Sequence, residues 1–368
     1  MAAPRVVIAA GGTAGHVVPA LAVADALRAD GAEVAFVGAR DRLEAKLVPE
    51  AGYPIDLLDL RGLDRSNPLR AAGAMRLAGA AVPKARRILR DREADAVLGG
   101  GGYVAGPAGI AALSLGLPLV LTEADRHLGL TNRFLARRAR RVCLAFPIEG
   151  RSGPRFLVTG RPVPAAIGHA DRDAARRRFD IAAEDRCLLV FGGSQGARSI
   201  NLAALEAFAG PEAPARDFHV LHISGSRDFA MARERIAAAG ALRRYTLVEY
   251  EPGLADALAA SDLVLARSGG SIFEIAAAGR PAILVPYPHA SGDHQRANAD
   301  WMAQGGAAIV VADAELDASR LAEVTAELFA DEARLRDMAA ASAALSRPDA
   351  AERVAAEVLA AIREPTRA

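Results

Sequence analysis

From Arg5 onward the chain alternates between short runs of consecutive apolar residues and longer, alanine-rich segments whose apolar positions recur with helical spacing. The short runs are Arg5–Ala10, Glu33–Val37, Ala96–Leu98, Leu119–Thr122, Arg141–Ala145, Cys187–Phe191, His219–Ile223, Thr246–Glu249, Leu263–Ala266 and Ala282–Val285. They have strand length and are continuously apolar, the pattern of strands covered on both faces. Such strands, separated by helices, predict an α/β fold with parallel sheets between helical layers.

The pattern repeats. "VVIAAGGTAGHVVPALAVADAL" from Val6 and "LLVFGGSQGARSINLAALEAF" from Leu188 are each an apolar strand, a Gly-Gly turn and an amphipathic helix. Their first glycines, Gly11 and Gly192, stand 181 residues apart. The repeat predicts two Rossmann-like domains in tandem, residues 1–160 and 161–345. The hinge falls near 160–165, within the linker "FLVTGRPVPAAIG", where Gly160, Pro162 and Pro164 break any periodicity. After Pro348, with Asp349 as N-cap, Ala350–Ile362 reads as a last helix. The segment 346–368 is expected to pack back on the first domain.

A length of 368 residues, 52% of them hydrophobic, with a mean hydropathy of +0.14, suits two globular domains. No apolar run reaches the roughly 18–20 residues that a membrane span needs. "MAAPRVVIAAGG" goes straight into a strand and a glycine turn, which is unlike a signal peptide and points to the cytoplasm. Cys143 and Cys187 fall in strand-like runs and read as small core residues. Net charge is only +1, but residues 1–160 carry 22 Lys and Arg against 15 Asp and Glu. The first half therefore suits an anionic surface or substrate. Within it, "NPLRAAGAMRLAGAAVPKARRILR" from Asn67 interleaves apolar residues with Arg70, Arg76, Lys84, Arg86, Arg87 and Arg90. It fits either a basic amphipathic helix lying on anionic lipid or a solvated helix face.

The glycine turns carry the candidate chemistry. "GGTAGH" has glycine at its first, second and fifth positions, which is not the dinucleotide fingerprint, and no Lys-Ser or Lys-Thr follows as in a P-loop. What remains is a tight turn at a helix start, where free N–H groups favour an anion. A third cluster, "LGGGGYVAGPAG" from Leu98, lets a ligand approach the backbone through Gly99 to Gly102. Three such loops point to a phosphorylated ligand. His16 closes the first loop at the carboxyl end of a strand, where near-neutral titration suits general-base work. "ARSGGSIFEIAAAGRPAILVPYP" from Ala266 places Arg267, a glycine pair and Glu274 where a strand hands over to a helix.

Together, "GGTAGHVVPALAVA", "GGYVAGPAGIAA", "GLTNRFLARRA", "FGGSQGARSIN", "EIAAAGRPAILVPYP" and "DHQRANA" resemble, in order and spacing, the successive motifs of the MurG family. That family comprises the N-acetylglucosaminyltransferases that convert lipid I to lipid II in bacterial peptidoglycan synthesis, a step of cell-wall biogenesis tied to cell shape and division. The resemblance covers nearly the whole chain. It implies a GT-B fold, two Rossmann-like domains facing across a cleft, the first for the acceptor and the membrane and the second for the UDP-sugar.

Carried over by position, the resemblance sets Arg267, with Ser268, Gly269 and Gly270, at the donor diphosphate, aided by a helix start near Ser271. It gives Glu274 to the ribose hydroxyls, Ser194 and Gln195 to the phosphates, and His294, Gln295 and Asn298 to the sugar. Thr13, Ala14, Gly15, Asp125 and Arg161 join the UDP-N-acetylglucosamine contacts, and Gly101, Gly102, Tyr103 and Glu123 the acceptor. His16 is the preferred base for an inverting attack, with Glu123 and Asp125 as rivals. The implied partners are UDP-N-acetylglucosamine, undecaprenyl-pyrophosphoryl-MurNAc-pentapeptide (lipid I) and the anionic cytoplasmic face of the membrane, peripherally bound. No cofactor, metal or nucleic acid is expected.

The chain departs from the family pattern at three places. Thr122-Glu123-Ala124-Asp125 stands where many relatives have His-Glu-Gln-Asn, and "GRPVP" has Arg161 and Pro164 where Asn and Arg are usual. The span from Arg267 to Glu274 is one residue shorter than in some members. Two alternatives stay open: an isomerase of the UDP-N-acetylglucosamine 2-epimerase kind, a family that shares the two-domain architecture and the donor, or, on the Thr122–Asp125 departure, a transferase of another UDP-sugar to another lipid.

Overall fold

The computed structural model describes residues 2–62, 68–193, 196–210, 216–240, 244–290 and 293–364, with the backbone alone for 68–71. Among these residues the chain divides into two units, 1–164 with 347–368, and 165–346.

The first unit holds strands β1 (Arg5–Ala9), β2 (Glu33–Ala39), β3 (Ile55–Leu58), β4 (Ala96–Gly99), β5 (Leu119–Glu123), β6 (Arg141–Leu144) and β7 (Phe156–Val158). They form one parallel sheet in the order β3-β2-β1-β4-β5-β6-β7, with Val6 opposite Val34 and Ala96 on its two sides. The continuous apolar runs have a simple cause. Side chains alternate across a strand, so Val6 and Ile8 enter the core on one face while Val7 and Ala9 enter the core on the other.

The second unit holds β8 (Arg186–Phe191), β9 (Phe218–Ile223), β10 (Tyr245–Val248), β11 (Leu263–Ala266), β12 (Ala282–Leu284) and β13 (Ala308–Val310). Their order is β10-β9-β8-β11-β12-β13, again parallel throughout. Cys143 and Cys187 are free and buried, and burial pushes both thiols up to about 12.

Three strands escape the apolar-run reading: β3, β7 and β13. Each is a sheet edge and only partly covered, so its apolar run is short or interrupted. β7 also occupies the start of the segment read as linker.

The last helix, Ala350–Arg363, packs on helix Ala14–Ala29 and on strands β4 to β6. Val354 and Val358, fully buried, face the same core as Val6 and Leu98. Asp349 is not its side-chain cap; the carboxylate pairs instead with Arg353 Nε at 2.6 Å. Arg141 Nε reaches Glu357 at 3.0 Å, tying the helix to β6. Val354→Ala or Val358→Ala should each lower stability by about 2 kcal/mol, read as a lower urea midpoint; an unchanged midpoint would mean the helix is not part of this core.

Candidate functional site

In an open parallel sheet, ligands bind at the carboxyl ends of the strands, in the crevice where the strand order reverses. In the first unit that crevice lies between β1 and β4. The loop after β1 is Ala10 to Thr13, and the loop after β4 is Gly100 to Val104. Gly101 and Gly102 adopt φ +101° and +75°, conformations that favour glycine. A methyl group on Gly102 would collide with the Gly11 carbonyl, and one on Gly101 would lie 2.5 Å from His16 Cδ2. The two loops therefore touch backbone to backbone and hold the imidazole between them.

His16 stands in the first turn of helix Ala14–Ala29, whose N-cap is Thr13. Thr13 Oγ1 does not cap the helix and lies instead 3.2 Å from His16 Nδ1. Burial pushes the His16 pKa below its ordinary 6.5, and the Arg161 cation adds to the shift; Asp125, Glu44 and a hydrogen bond with the Gly11 backbone oppose it. At neutral pH the ring is a neutral base. With Nδ1 protonated, the lone pair sits on Nε2.

Arg161 donates to the Gly15 carbonyl at 2.6 Å, which places its charge beside His16. Glu123 is spent on structure: Oε1 accepts from Asp125 N at 3.2 Å, and Oε2 from Gly129 N at 2.9 Å and Asn132 Nδ2 at 3.0 Å. Its oxygens brace the Thr122–Gly129 loop, while burial raises the pKa of this carboxyl, expected as a rival base or acceptor contact, above its ordinary value. Glu44, unmarked by any motif, is fully buried and accepts from Gly12 N and Ala39 N, both at 3.0 Å. It locks the loop after β1 to the end of β2.

In the second unit the strand order reverses between β8 and β11. Ser194 and Gln195, in the loop after β8, lie outside the described residues. The loop after β11 meets helix His294–Gln304: Ser268 Oγ donates to the Gln295 carbonyl at 2.7 Å, and Asn298 Nδ2 donates to the Ser268 carbonyl at 3.0 Å. Gln295 Oε1 accepts from Tyr287 N at 3.0 Å, leaving its amide nitrogen on the Gly269 side. Glu274 is on the first turn of helix Ile272–Ala277, half-buried, and His294 opens the neighbouring helix.

Arg267 departs from expectation. Its guanidinium is buried and donates to Asp313 Oδ1 at 2.6 Å, Ser199 Oγ at 2.8 Å and the carbonyls of Val285 and Pro286. It ties strand ends together rather than presenting its charge to a diphosphate. The helix after it spans six residues, too short for a strong dipole, and Ser271 makes no side-chain cap. Asp293 likewise does not cap its helix through its side chain.

Residues 6–144 match the glycosyltransferase family 28 N-terminal domain, and residues 187–354 its C-terminal domain. The chain is 46% identical to the UDP-N-acetylglucosamine--N-acetylmuramyl-(pentapeptide) pyrophosphoryl-undecaprenol N-acetylglucosamine transferase of Acidithiobacillus ferrooxidans, over 96% of this chain and 97% of that one. It is 41% identical to the protein of that name from Moorella thermoacetica, over 96% and 98%. The crystal structure of Acinetobacter baumannii MurG matches with a TM-score of 0.75 at 30% identity, over 97% and 99%. The chain belongs to the MurG family. Its fold is GT-B, shared at the level of fold alone with the calicheamicin glycosyltransferase CalG4 (TM-score 0.70, 19% identity) and a Neisseria meningitidis UDP-GlcNAc 2-epimerase (0.68, 16%).

Within this MurG-family chain the expected residues form two clusters. Thr13, Ala14, Gly15, His16, Gly101, Gly102, Tyr103, Asp125 and Arg161 belong to the first unit; Ser268, Gly269, Gly270, Glu274, His294, Gln295 and Asn298 belong to the second. Sequence reasoning missed the braces Glu44, Asn132 and Asn201. Asn201 sits inside the motif "FGGSQGARSIN" and bonds the Ser224 carbonyl, Asp228 and His222. Arg267→Met should lower stability by about 2–3 kcal/mol because Asp313 loses its counter-charge, read as a lower guanidinium chloride midpoint. A parent-like midpoint with weakened UDP-sugar binding would restore Arg267 to the diphosphate.

Proposed function

We propose that this chain transfers N-acetylglucosamine from UDP-N-acetylglucosamine to the C4 hydroxyl of the muramyl sugar of lipid I, giving lipid II with inversion at the anomeric carbon. The observation that carries the reading is the full-length likeness to transferases of that name, at 40–46% identity. The epimerases share only the fold, and no side-chain arrangement described above favours them.

The chemistry follows from the first cluster. The acceptor oxygen forms its bond to the anomeric carbon, its proton passes to His16 Nε2, and the bond to the β-phosphate oxygen breaks with its electron pair leaving on UDP. Thr13 and the Gly11 backbone fix the ring, and Gly101 lets it lie flush with the loop after β4. On the donor side, Glu274 takes the ribose hydroxyls, the bare backbone of Gly269 and Gly270 admits the diphosphate, and Gln295 Nε2 donates to a sugar hydroxyl. Ser268 and Asn298 hold that loop in place.

We further place the chain peripherally on the cytoplasmic membrane face. No described helix is long and apolar enough to cross a membrane. Helices Pro68–Asp91, Ala105–Ser114 and Leu130–Leu135 pack in succession. They expose Met75, Ile110, Leu130 and Phe134, and the first and last of them also expose Arg76, Arg87 and Arg133. Apolar side chains among cations suit an anionic bilayer surface.

The deciding experiment is transfer of labelled N-acetylglucosamine from its UDP ester to a lipid I analogue by the purified protein, with other UDP-sugars as competitors. Labelled lipid II is the expected product, and its absence would overturn the reading. His16→Ala should cut kcat by about 10²–10⁴-fold; full turnover would exclude His16 as the base. The pH profile gives a further check. Because Arg161 disfavours the imidazolium, the acid limb of kcat/KM should fall below 6.5 in the parent and move to higher pH in Arg161→Ala. Arg161→Lys should leave the limb near the parent's, and a limb that ignores the charge would separate it from His16.

A further inference from the structure

Next to the His16 loop, Arg42, Arg61, Gly62, Gly73 and Arg76 are among the residues lining a cavity of about 760 Å³ in the first unit. The arginines come from three places: after β2, after β3, and on helix Pro68–Asp91. All three are exposed. In contrast to Arg40, Lys84 and Arg92 nearby, none of them is ion-paired with a described residue. Gly62 and Gly73 add no side chains, and Ala74 and Leu77 complete the lining on the helix side.

Tyr103 joins this cavity to the site. A methyl group on Gly12, in the His16 loop, would lie 3.0 Å from Tyr103 Cε1, and one on Gly62, in the cavity wall, 3.6 Å from the same atom. One aromatic ring thus spans from the loop that carries the base to the arginine cavity. The Tyr103 hydroxyl is buried. Burial raises its pKa while the Arg42 cation pulls it back, which places a donor beside that guanidinium.

We propose that this cavity receives the diphosphate of the lipid-linked acceptor, with Arg42, Arg61 and Arg76 as its counter-charges. Planar guanidinium forks match phosphate oxygens in pairs, and three of them answer the charge of a diphosphate diester with one to spare. The placement fits the reaction. The diphosphate hangs from C1 of the muramyl sugar and the attacking hydroxyl from C4, so the anion and the base must be about one sugar ring apart. The Tyr103 ring spans that interval. The cavity is also much larger than a diphosphate, leaving room for the groups on either side. The inference builds on the proposed transfer and names the residues that hold its acceptor.

Phosphate chemistry could equally come from a phospholipid headgroup, so the test separates the two. Arg42→Gln, Arg61→Gln and Arg76→Gln would be assayed with a short-chain, water-soluble diphosphate acceptor in the absence of membrane. The acceptor KM should rise about tenfold or more, with the UDP-N-acetylglucosamine KM unmoved. Inorganic pyrophosphate should compete with the acceptor in the parent and lose potency in each variant. Unchanged acceptor KM and unchanged pyrophosphate inhibition would overturn the proposal. So would loss of binding to phosphatidylglycerol vesicles with the soluble-acceptor KM intact, which would make the cavity a headgroup site. If the parent transferred nothing, the proposed activity would fall, and pyrophosphate titration calorimetry on parent and variants would still decide the cavity.

Discussion

Backbone pressed against backbone sets the first cluster. Gly102 meets the Gly11 carbonyl so closely that no side chain fits at either loop's point of contact, and His16 lies in the seam. The burial and the orientation that keep the imidazole neutral depend on that approach, with the Arg161 cation adding to them. Burial comes from Gly101 against its Cδ2 edge, and the fixed ring orientation from the Gly11 backbone and Thr13. Glu44 secures the same seam from below, accepting from Gly12 and Ala39 while Gly11 and Gly38 leave it room. A buried carboxylate with two N–H donors is a better brace than a hydroxyl would be, because charge-assisted bonds are shorter and stronger.

The second unit solves the same problem with different means. Gly196 presses on the Ser224 carbonyl, and Asn201, fully buried, grips that residue from behind while holding His222 and Asp228. His222 is pushed down to about 4 by burial, so it serves this network as a neutral ring bonded to Tyr245 and carries no charge into the core. Around the loop after β11 the brace is Arg267, whose donors knit Ser199, Asp313 and two carbonyls at the strand ends. A glycine loop can approach a diphosphate only if something else stops it from collapsing.

Much of this was legible in the chain. The parallel sheets followed from continuous apolar runs, because strands buried on both faces have no reason to alternate. The strands that went unread, β3, β7 and β13, lie at sheet edges where half the covering is missing. The placing of His16 and the two glycine loops at strand ends was legible because it is local in sequence. The protein partners of Arg267 were not legible, for the opposite reason. Its partners Ser199 and Asp313 lie 68 and 46 residues away, and nothing in "ARSGG" announces them. Glu44 and Glu123 were equally opaque: a carboxylate that braces a loop and one that works in catalysis look the same until their hydrogen bonds are known.

Arginine shows the principle at the scale of the molecule. In the second unit Arg172 and Arg176 share Asp262, Arg178 grips Glu251 and Asp256, Arg186 holds Glu332, and Arg267 holds Asp313. These cations are consumed by the fold, and a ligand would have to displace a carboxylate to use them. Around the cavity of the first unit Arg42, Arg61 and Arg76 have no such partner among the described residues, so their charge remains available. The excess of positive charge in residues 1–160 is therefore not spread evenly in effect. What matters to an incoming anion is the charge left uncompensated at a concave surface, where field lines converge. In the first unit that surface is joined by one tyrosine ring to the loop that carries His16.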